Sequence, residues 1–339
     1  MSEHKDNSLV TKEWISDLKQ VVTSPEELLS LLNIPVTPQL KEGFLAKKLF
    51  NLRVPRPFID RMEKENLNDP LLKQVLTHQD EFIQAPEFTN DPLEEQENSI
   101  PGLLHKYTSR VLLVLKGSCA INCRYCFRRH FPYESNAGNK KNWQNAIDYI
   151  QNDHAIDEVI LSGGDPLMAK DEEIAWIFEQ IETIQHIKTI RIHTRLAVVI
   201  PNRISEKLLD IFYASTKNIV LVTHINHPNE IDDKVIAKMN LLRSAKVTLL
   251  NQSVLLKDIN DNEKTLISLS HKLFDAGILP YYLHLLDKVE GAVHFYVDDN
   301  KAKLLMQKVQ AAISGYLVPK LTREIPGKPS KTPIDFMSL

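Results

Sequence analysis

The stretch Val111-Leu-Leu-Val-Leu-Lys116-Gly-Ser-Cys119-Ala-Ile-Asn-Cys123-Arg-Tyr-Cys126 joins a short apolar run to three cysteines, the only cysteines in the chain. The apolar run predicts a buried strand, so the cysteines lie in the loop that follows it. Cysteine thiolates bind iron–sulfur clusters. Three thiolates hold three irons of a four-iron cube and leave the fourth iron open to another ligand, as a catalytic zinc keeps one open position.

Two other interpretations of the three cysteines are weaker. A structural zinc site needs a fourth ligand, and although His130 is close in sequence, the spacing is not that of a usual zinc site. Disulfide bonding would leave one of the three cysteines unpaired. We therefore predict an iron–sulfur cluster bound by Cys119, Cys123 and Cys126.

The bulk composition is that of an ordinary globular protein. The chain has 339 residues, of which 43% are hydrophobic and 25% charged, and its formal net charge is −3. This charge gives no reason to expect a nucleic-acid partner. The polar N-terminus lacks the apolar segment of a signal peptide, and no apolar run is long enough to span a membrane. Because three clustered cysteines suit a reducing compartment, we expect a cytoplasmic protein.

Short β-branched runs recur after residue 110 at intervals of roughly 30 residues, the length of one β–α unit. The six predicted strands are residues 111–116, 158–162, 189–193, 219–224, 247–252 and 281–286. Near-continuous apolar strands with amphipathic segments between them are typical of a parallel sheet covered by helices. We predict an α/β fold, a partial (β/α)6 TIM-like barrel over residues 106–339 after an N-terminal helical region over 1–105. Such barrels place their chemistry at the carboxyl ends of the strands.

Two segments of this plan carry no predicted strand or helix. Residues 85–101 contain several prolines and acids, which predicts a linker or surface loop. Residues 316–339 follow the last predicted helix as a tail.

A second motif, Ser162-Gly163-Gly164-Asp165-Pro166, ends the second predicted strand. Paired glycines let the backbone approach a ligand closely. By itself the run favours a tight β–α loop with Asp165 as the helix cap. Downstream of the cysteine loop, it resembles the Gly-Gly-Glu motif of the radical S-adenosylmethionine (SAM) superfamily, with aspartate in place of glutamate. That resemblance implies a barrel of the radical SAM type whose open iron binds SAM and whose glycine motif meets the SAM amino group.

Six motifs in the same order resemble the lysine 2,3-aminomutase family over residues 100–333. They are Arg110-Val-Leu-Leu-Val, the cysteine loop with Phe127-Arg128-Arg129, Ser162-Gly-Gly-Asp-Pro, Thr223-His-Ile-Asn-His-Pro-Asn-Glu230, Asn251-Gln-Ser-Val-Leu-Leu256 and Gly327-Lys-Pro-Ser-Lys-Thr-Pro333. This family combines a [4Fe-4S] cluster, SAM and pyridoxal 5′-phosphate (PLP). The resemblance implies a radical isomerase that moves the α-amino group of L-lysine to C3, giving (R)-β-lysine, and that needs a reducing electron donor.

The resemblance also implies which residues bind PLP. The family's PLP lysine closes a Pro-Gly-Gly-Gly-Gly-Lys-Thr-Pro run, and the matching run at residues 326–333 selects Lys331. Residues 328–330 replace three of the four glycines, so Lys328 stays open as an alternative. Arg110 matches an arginine near the PLP phosphate. Three polar residues at the end of the fifth predicted strand suit hydrogen bonds to the cofactor: Asn251, Gln252 and Ser253.

Three charged residues match the family's substrate site. Arg128 matches the arginine that pairs with the substrate carboxylate, which a planar guanidinium can bind with two hydrogen bonds. Asp287 and Glu324 match two acids that take the ε-ammonium group, and the second is an aspartate in the family. Two acids around one ammonium would select lysine over glutamate, because only a cation offsets their burial together.

The chain ends eight residues after Lys331, whereas family members that act in lysine catabolism carry a longer extension. We therefore expect the branch that supplies (R)-β-lysine for elongation factor P, to which a lysyl-tRNA-synthetase-like ligase, EpmA, attaches it. Two alternatives stay open: an aminomutase for another amino acid such as glutamate, and a non-catalytic iron–sulfur sensor that has lost PLP.

Overall fold

Nine strands form one sheet in their sequence order in a computed structural model that describes residues 7–96, 100–136 and 138–337. Neighbouring strands are parallel from the second to the eighth, whereas the first and last strands are antiparallel to their neighbours. The strands are β1 (Leu103–Tyr107), β2 (Arg110–Lys116), β3 (Glu158–Gly163), β4 (Thr189–Thr194), β5 (Asn218–His224), β6 (Thr248–Val254), β7 (Leu279–His284), β8 (Lys320–Arg323) and β9 (Thr332–Pro333).

Helices connect the parallel strands and cover the outside of the sheet. Polar residues such as Ser205, Asp232 and Asn262 cap three of them by accepting a backbone hydrogen bond from the first turn. The helices are α1 (Asn7–Lys19), α2 (Pro25–Leu31), α3 (Pro38–Phe44), α4 (Arg56–Ile59), α5 (Pro70–Lys73), α6 (Lys140–Asn152), α7 (Asp171–Glu182), α8 (Leu196–Val199), α9 (Glu206–Ala214), α10 (Asp233–Ser244), α11 (Glu263–Asp275) and α12 (Asp299–Ala312).

The predicted partial barrel is confirmed, with one correction to its strand count. All six predicted strands exist, as β2 to β7, but the C-terminal segment predicted to be a tail adds a seventh parallel strand, β8, and then β9. The sheet curls so that its two edges meet: Lys106 on β1 contacts Glu324, which follows β8. This curl encloses the cavity described below.

The N-terminal helices pack against one end of the barrel. One of them, α2, begins with a regular cap: the Ser24 hydroxyl accepts the backbone N–H of Glu27, and Pro25 occupies the first position of the helix. The division into a helical region over 1–105 and a barrel over 106–339 stays a prediction. No helix within the described ranges is long and apolar enough to cross a membrane.

Candidate functional site

A cavity of about 580 Å³ occupies the interior of the curled sheet. Its volume is in the range of pockets that bind cofactors and small substrates. All three cysteines and residues 162–165 line it, together with charged side chains from β1, β2 and β4 and from the segments after β7 and β8. The residues predicted from the cysteine and glycine motifs and those predicted from the C-terminal motifs therefore face one common space.

The two glycines allow the loop after β3 to lie directly against the cysteine loop. The backbone N–H of Gly164 donates to the Lys116 carbonyl at 2.7 Å, and that of Asp165 donates to the Ser118 carbonyl at 3.1 Å. A Cβ on Gly164 would lie 2.6 Å from the Ser118 carbonyl oxygen, and Gly163 has a φ of +118°. Only glycine tolerates this approach and this backbone conformation.

The three thiols fit an iron–sulfur cluster by their chemistry. Burial raises the pKa of Cys126 to about 11 and that of Cys119 well above its usual value, and the neighbouring acidic and cysteine side chains add to the effect. Thiolates in such a place need compensating positive charge, which iron ions supply.

The Asp165 carboxylate is buried and already satisfied by the protein. It accepts the Thr194 hydroxyl at 2.8 Å and the backbone N–H groups of Leu167, Arg195 and Leu196 at 2.7–3.0 Å. These bonds fasten the end of β3 to the end of β4. The motif can therefore meet a ligand through its backbone, while the Asp165 side chain fixes the shape of the loop.

The N-terminal region holds the cysteine loop from outside. Arg129 donates to the buried Glu81 carboxylate at 2.9 Å, and Arg124 donates to the same carboxylate at 2.9 Å. On the other side of the loop, the Tyr125 hydroxyl lies 3.2 Å from the Gln74 side chain and 3.0 Å from the His224 ring. This buried network ties the loop to the N-terminal region and to β5.

Lys331 enters the cavity, whereas Lys328 is exposed at the surface. The Lys331 ammonium donates to Glu324 at 2.7 Å and lies 5.9 Å from the ring of Tyr282. Burial opposes ionisation of Glu324, but the ammonium groups of Lys331 and Lys106 outweigh it and hold the pKa of Glu324 well below its usual range. Of the two candidate lysines, Lys331 is the one that lines the cavity.

Asp287 faces the same end of the cavity without a fixed partner. Its carboxylate accepts no hydrogen bond from any described residue. Burial raises the pKa of Asp287 to about 7, although nearby Lys331 opposes the rise. A carboxylate in this state is stabilised by any cation that enters the cavity, as the predicted ammonium site requires.

Arg128 lines the cavity but is paired with an acid that the sequence did not single out. Its guanidinium donates to both oxygens of Glu95, at 2.6 Å and 3.2 Å. A third nitrogen donates to the Ser162 hydroxyl and to the Gly163 carbonyl. Glu95 is only 5% exposed. Glu95, which belongs to the segment 85–101 predicted to be a linker or surface loop, therefore lies in the site.

Only Gln252 of the three polar residues on β6 lines the cavity. Asn251 and Ser253 point to the opposite side, because successive side chains of a strand alternate. The Asn251 amide oxygen accepts the Thr223 hydroxyl at 2.9 Å, and the Ser253 hydroxyl donates to the Ile225 carbonyl at 2.7 Å. These two side chains fasten β6 to β5, and their contact with the cofactor stays a prediction.

Basic side chains line the part of the cavity near the start of β2. Arg110 stacks on the ring of Tyr107 at 4.2 Å, and Arg191 of β4 also faces the cavity. Two guanidinium groups suit a phosphate. Arg191 was not predicted from the sequence, because an arginine inside a predicted strand has no motif to mark it.

The cysteine loop after the first parallel strand and the glycine motif after the second define a radical SAM protein. A family model described as the Radical SAM superfamily matches residues 113–269, which include both motifs. This match confirms the predicted class of fold.

Three curated relatives identify the family to which the chain belongs within this class. The chain is 60% identical to L-lysine 2,3-aminomutase of Escherichia coli (strain K12), over 97% of this chain and 96% of that protein. It is 54% identical to the enzyme of the same name from Haemophilus influenzae, over 94% of each chain. The identity to the one from Clostridium subterminale is 34%, over 95% of this chain and 77% of that protein. The chain belongs to the L-lysine 2,3-aminomutase family, as its motifs predicted.

Proposed function

We propose that the chain converts L-α-lysine into (R)-β-lysine by radical 1,2-migration of the amino group. One observation carries the proposal: the cysteine loop and the Lys331, Glu324 and Asp287 side chains line a single cavity. A site that joins radical generation to recognition of a cationic amino acid is what this reaction needs. The names of the relatives support the same substrate.

The residues of the cavity fit the three cofactors of the family. Cys119, Cys123 and Cys126 would hold the [4Fe-4S] cluster, and the backbone at residues 163–165 would face SAM. Lys331 would bind PLP, with Arg110 near the phosphate and Gln252 beside the cofactor. When bound, the cluster and SAM supply hydrogen abstraction, and PLP makes the amino group able to migrate.

The chain's own side chains would bind and orient the substrate. Arg128 would take the substrate carboxylate, sharing its guanidinium with Glu95. Asp287 and Glu324 would take the ε-ammonium group. Glutamate would bring a second carboxylate against these two acids, and like charges in a buried site repel strongly. The pairing of acids at this end of the cavity therefore supports lysine over glutamate.

The spectrum of anaerobically purified protein separates an enzyme from an iron–sulfur sensor. We expect both the broad absorbance of a [4Fe-4S] cluster and the band of lysine-bound PLP. A cluster spectrum in a protein that takes up no added PLP would favour the sensor.

We further propose that the product serves elongation factor P in the cytoplasm, where the ligase EpmA would attach it. The resemblance to that branch of the family supports this role. In a strain lacking this chain, intact-mass measurement should find elongation factor P without the β-lysyl addition, and added (R)-β-lysine should restore it. Full modification in the unsupplemented deletion strain would contradict the role. The electron donor would be a cellular reductant.

A further inference from the structure

The ammonium group of Lys106 lies between two acids at the edge of the cavity. It is 2.8 Å from the Glu95 carboxylate, 3.2 Å from the Glu324 carboxylate and 3.3 Å from the Leu93 carbonyl. An ammonium group has three N–H donors. All three are therefore used, which fixes the position of this side chain although 26% of it is exposed.

Each acid that Lys106 contacts also binds a residue of the proposed active site. Glu95 accepts from Arg128, which would bind the substrate carboxylate. Glu324 accepts from Lys331, the proposed PLP lysine, and would bind the substrate ammonium. Five charged groups thus alternate in one row: Arg128, Glu95, Lys106, Glu324 and Lys331.

The row carries three positive and two negative groups. Asp287 faces the same cavity and, when ionised, adds a third acid, so the charge of Lys106 brings these groups into balance. If Lys106 were neutral, Glu95 would keep its contacts with the Arg128 guanidinium, and Glu324 would keep the Lys331 ammonium and the Tyr107 hydroxyl, which donates to it at 3.1 Å. Glu95 would then compete more strongly with the substrate carboxylate for Arg128, and Glu324 would be held more firmly by Lys331.

Lys106 also determines how far apart the two acids stand. Carboxylates that share one ammonium repel each other once that ammonium is removed. Glu95 lies on a loop before β1 and Glu324 follows β8, so no direct backbone ladder connects them. Without Lys106, Glu324 would keep the Tyr107 hydroxyl of β1 as a partner, but Glu95 would lose the ammonium that links it to Glu324.

We propose that Lys106 is a positioning residue that couples the carboxylate end of the lysine site to its ammonium end, and so makes the enzyme selective for the length of the substrate. This inference rests on the proposed function. Lys106 acts through Glu95 and Glu324 and need not touch the substrate.

The test compares Lys106→Met with Lys106→Arg in the fully loaded enzyme. We expect Lys106→Met to raise KM for L-lysine about tenfold with kcat changed by less than about twofold, because a charge-assisted contact that is partly exposed is lost. The preference for lysine over ornithine, which is one methylene shorter, should fall by a similar factor. Lys106→Arg, which can contact both acids, should recover most of both values.

A matched control is Lys207→Met, which breaks an exposed ion pair with Glu172 on the outside of the barrel. It should leave KM and the lysine-to-ornithine ratio unchanged. Equilibrium binding of L-lysine to the PLP-loaded protein without SAM should weaken in Lys106→Met by the same factor as KM, which turnover alone would not reveal. If Lys106→Met does not fold, Lys106→Gln is used in its place with the same expectations.

Two results would overturn the inference. One is an unchanged lysine-to-ornithine ratio in a folded Lys106→Met protein, and the other is a loss confined to kcat. If wild-type protein and Lys207→Met form β-lysine while Lys106→Met shows either result, only the role of Lys106 fails. If the fully loaded wild-type protein forms no β-lysine, the proposed function fails first.

Discussion

Replacing Asp287 by asparagine removes one charge from the ammonium site while keeping the size of the side chain. Burial raises the pKa of Asp287 to about 7, so about nine-tenths of it is ionised at pH 8 and about one-tenth at pH 6. Only the ionised form attracts the substrate ammonium. The apparent affinity for lysine should therefore fall roughly tenfold from pH 8 to pH 6 in the wild type, and this pH dependence should disappear in Asp287→Asn.

The size of the loss at pH 8 follows from the burial of the site. Breaking a buried ion pair costs roughly 3–5 kcal/mol. Because Glu324 would share the ammonium, we take the lower end, about 3 kcal/mol, which corresponds to a rise in KM on the order of 10²-fold. Norleucine has the same length but no ammonium, so its binding should change little.

The same substitution should stabilise the fold. A carboxyl group whose pKa is raised in the folded state destabilises that state as the pH rises above its unfolded value, here 3.8, and the full penalty is present above pH 7. The difference corresponds to at most about 4 kcal/mol. Because the side chain opens onto the cavity, solvent screening reduces this, and we expect Asp287→Asn to raise the free energy of unfolding at pH 8 by on the order of 1–2 kcal/mol.

The assays are kcat/KM for lysine between pH 5.5 and 9, lysine and norleucine binding at pH 8, and urea unfolding at pH 8. Asp275→Asn, on the exposed face of α11, is the control and should match the wild type in all three. Equal losses of lysine and norleucine binding would refute the ammonium role of Asp287. Persistence of the acid limb in Asp287→Asn would show that another group titrates.

Three further changes test the cofactor sites. Cys123→Ala should abolish SAM cleavage and lower the iron content, and normal cleavage would exclude this cysteine as a ligand. Gly164→Ala should displace the cysteine loop and reduce iron incorporation, because its Cβ would meet backbone at 2.6 Å, whereas Gly315→Ala has open space and should incorporate iron normally; equal iron contents would contradict this reasoning. Borohydride reduction followed by peptide mapping should find the pyridoxyl group on Lys331, and a label on Lys328 would reverse the assignment.

The sequence predicted the strands whose burial produces a recognisable apolar run in the sequence. Strands β2, β3 and β5 are rich in apolar and β-branched residues because helices cover the sheet. Strand β8 was missed because it has four residues, of which only Leu321 and Thr322 are buried. Its place in the sheet depends on pairing with β7, which is a long-range contact that no local sequence pattern indicates.

The residues of the site likewise fall into two groups, those that a sequence motif marks and those that no motif marks. Cys119 and Gly164 belong to short motifs with their own spacing, so the sequence alone marked them. Glu95 and Lys106 carry no motif, and Lys106 meets Glu324 across 218 residues only because the sheet curls. The motif at Asn251 identified the end of the strand, but not which of its alternating side chains faces inward.

The most direct measurement determines where the nitrogen on C3 of the product comes from. Anaerobically reconstituted protein with SAM, PLP and a reductant should convert L-lysine labelled with ¹⁵N at the α-amino group into β-lysine that carries the label on C3, with the R configuration. Retention of the label shows that the C3 nitrogen comes from the α-amino group of lysine and not from free ammonia. Unlabelled β-lysine, or no β-lysine from protein that contains its full complement of iron and PLP, would contradict an aminomutase.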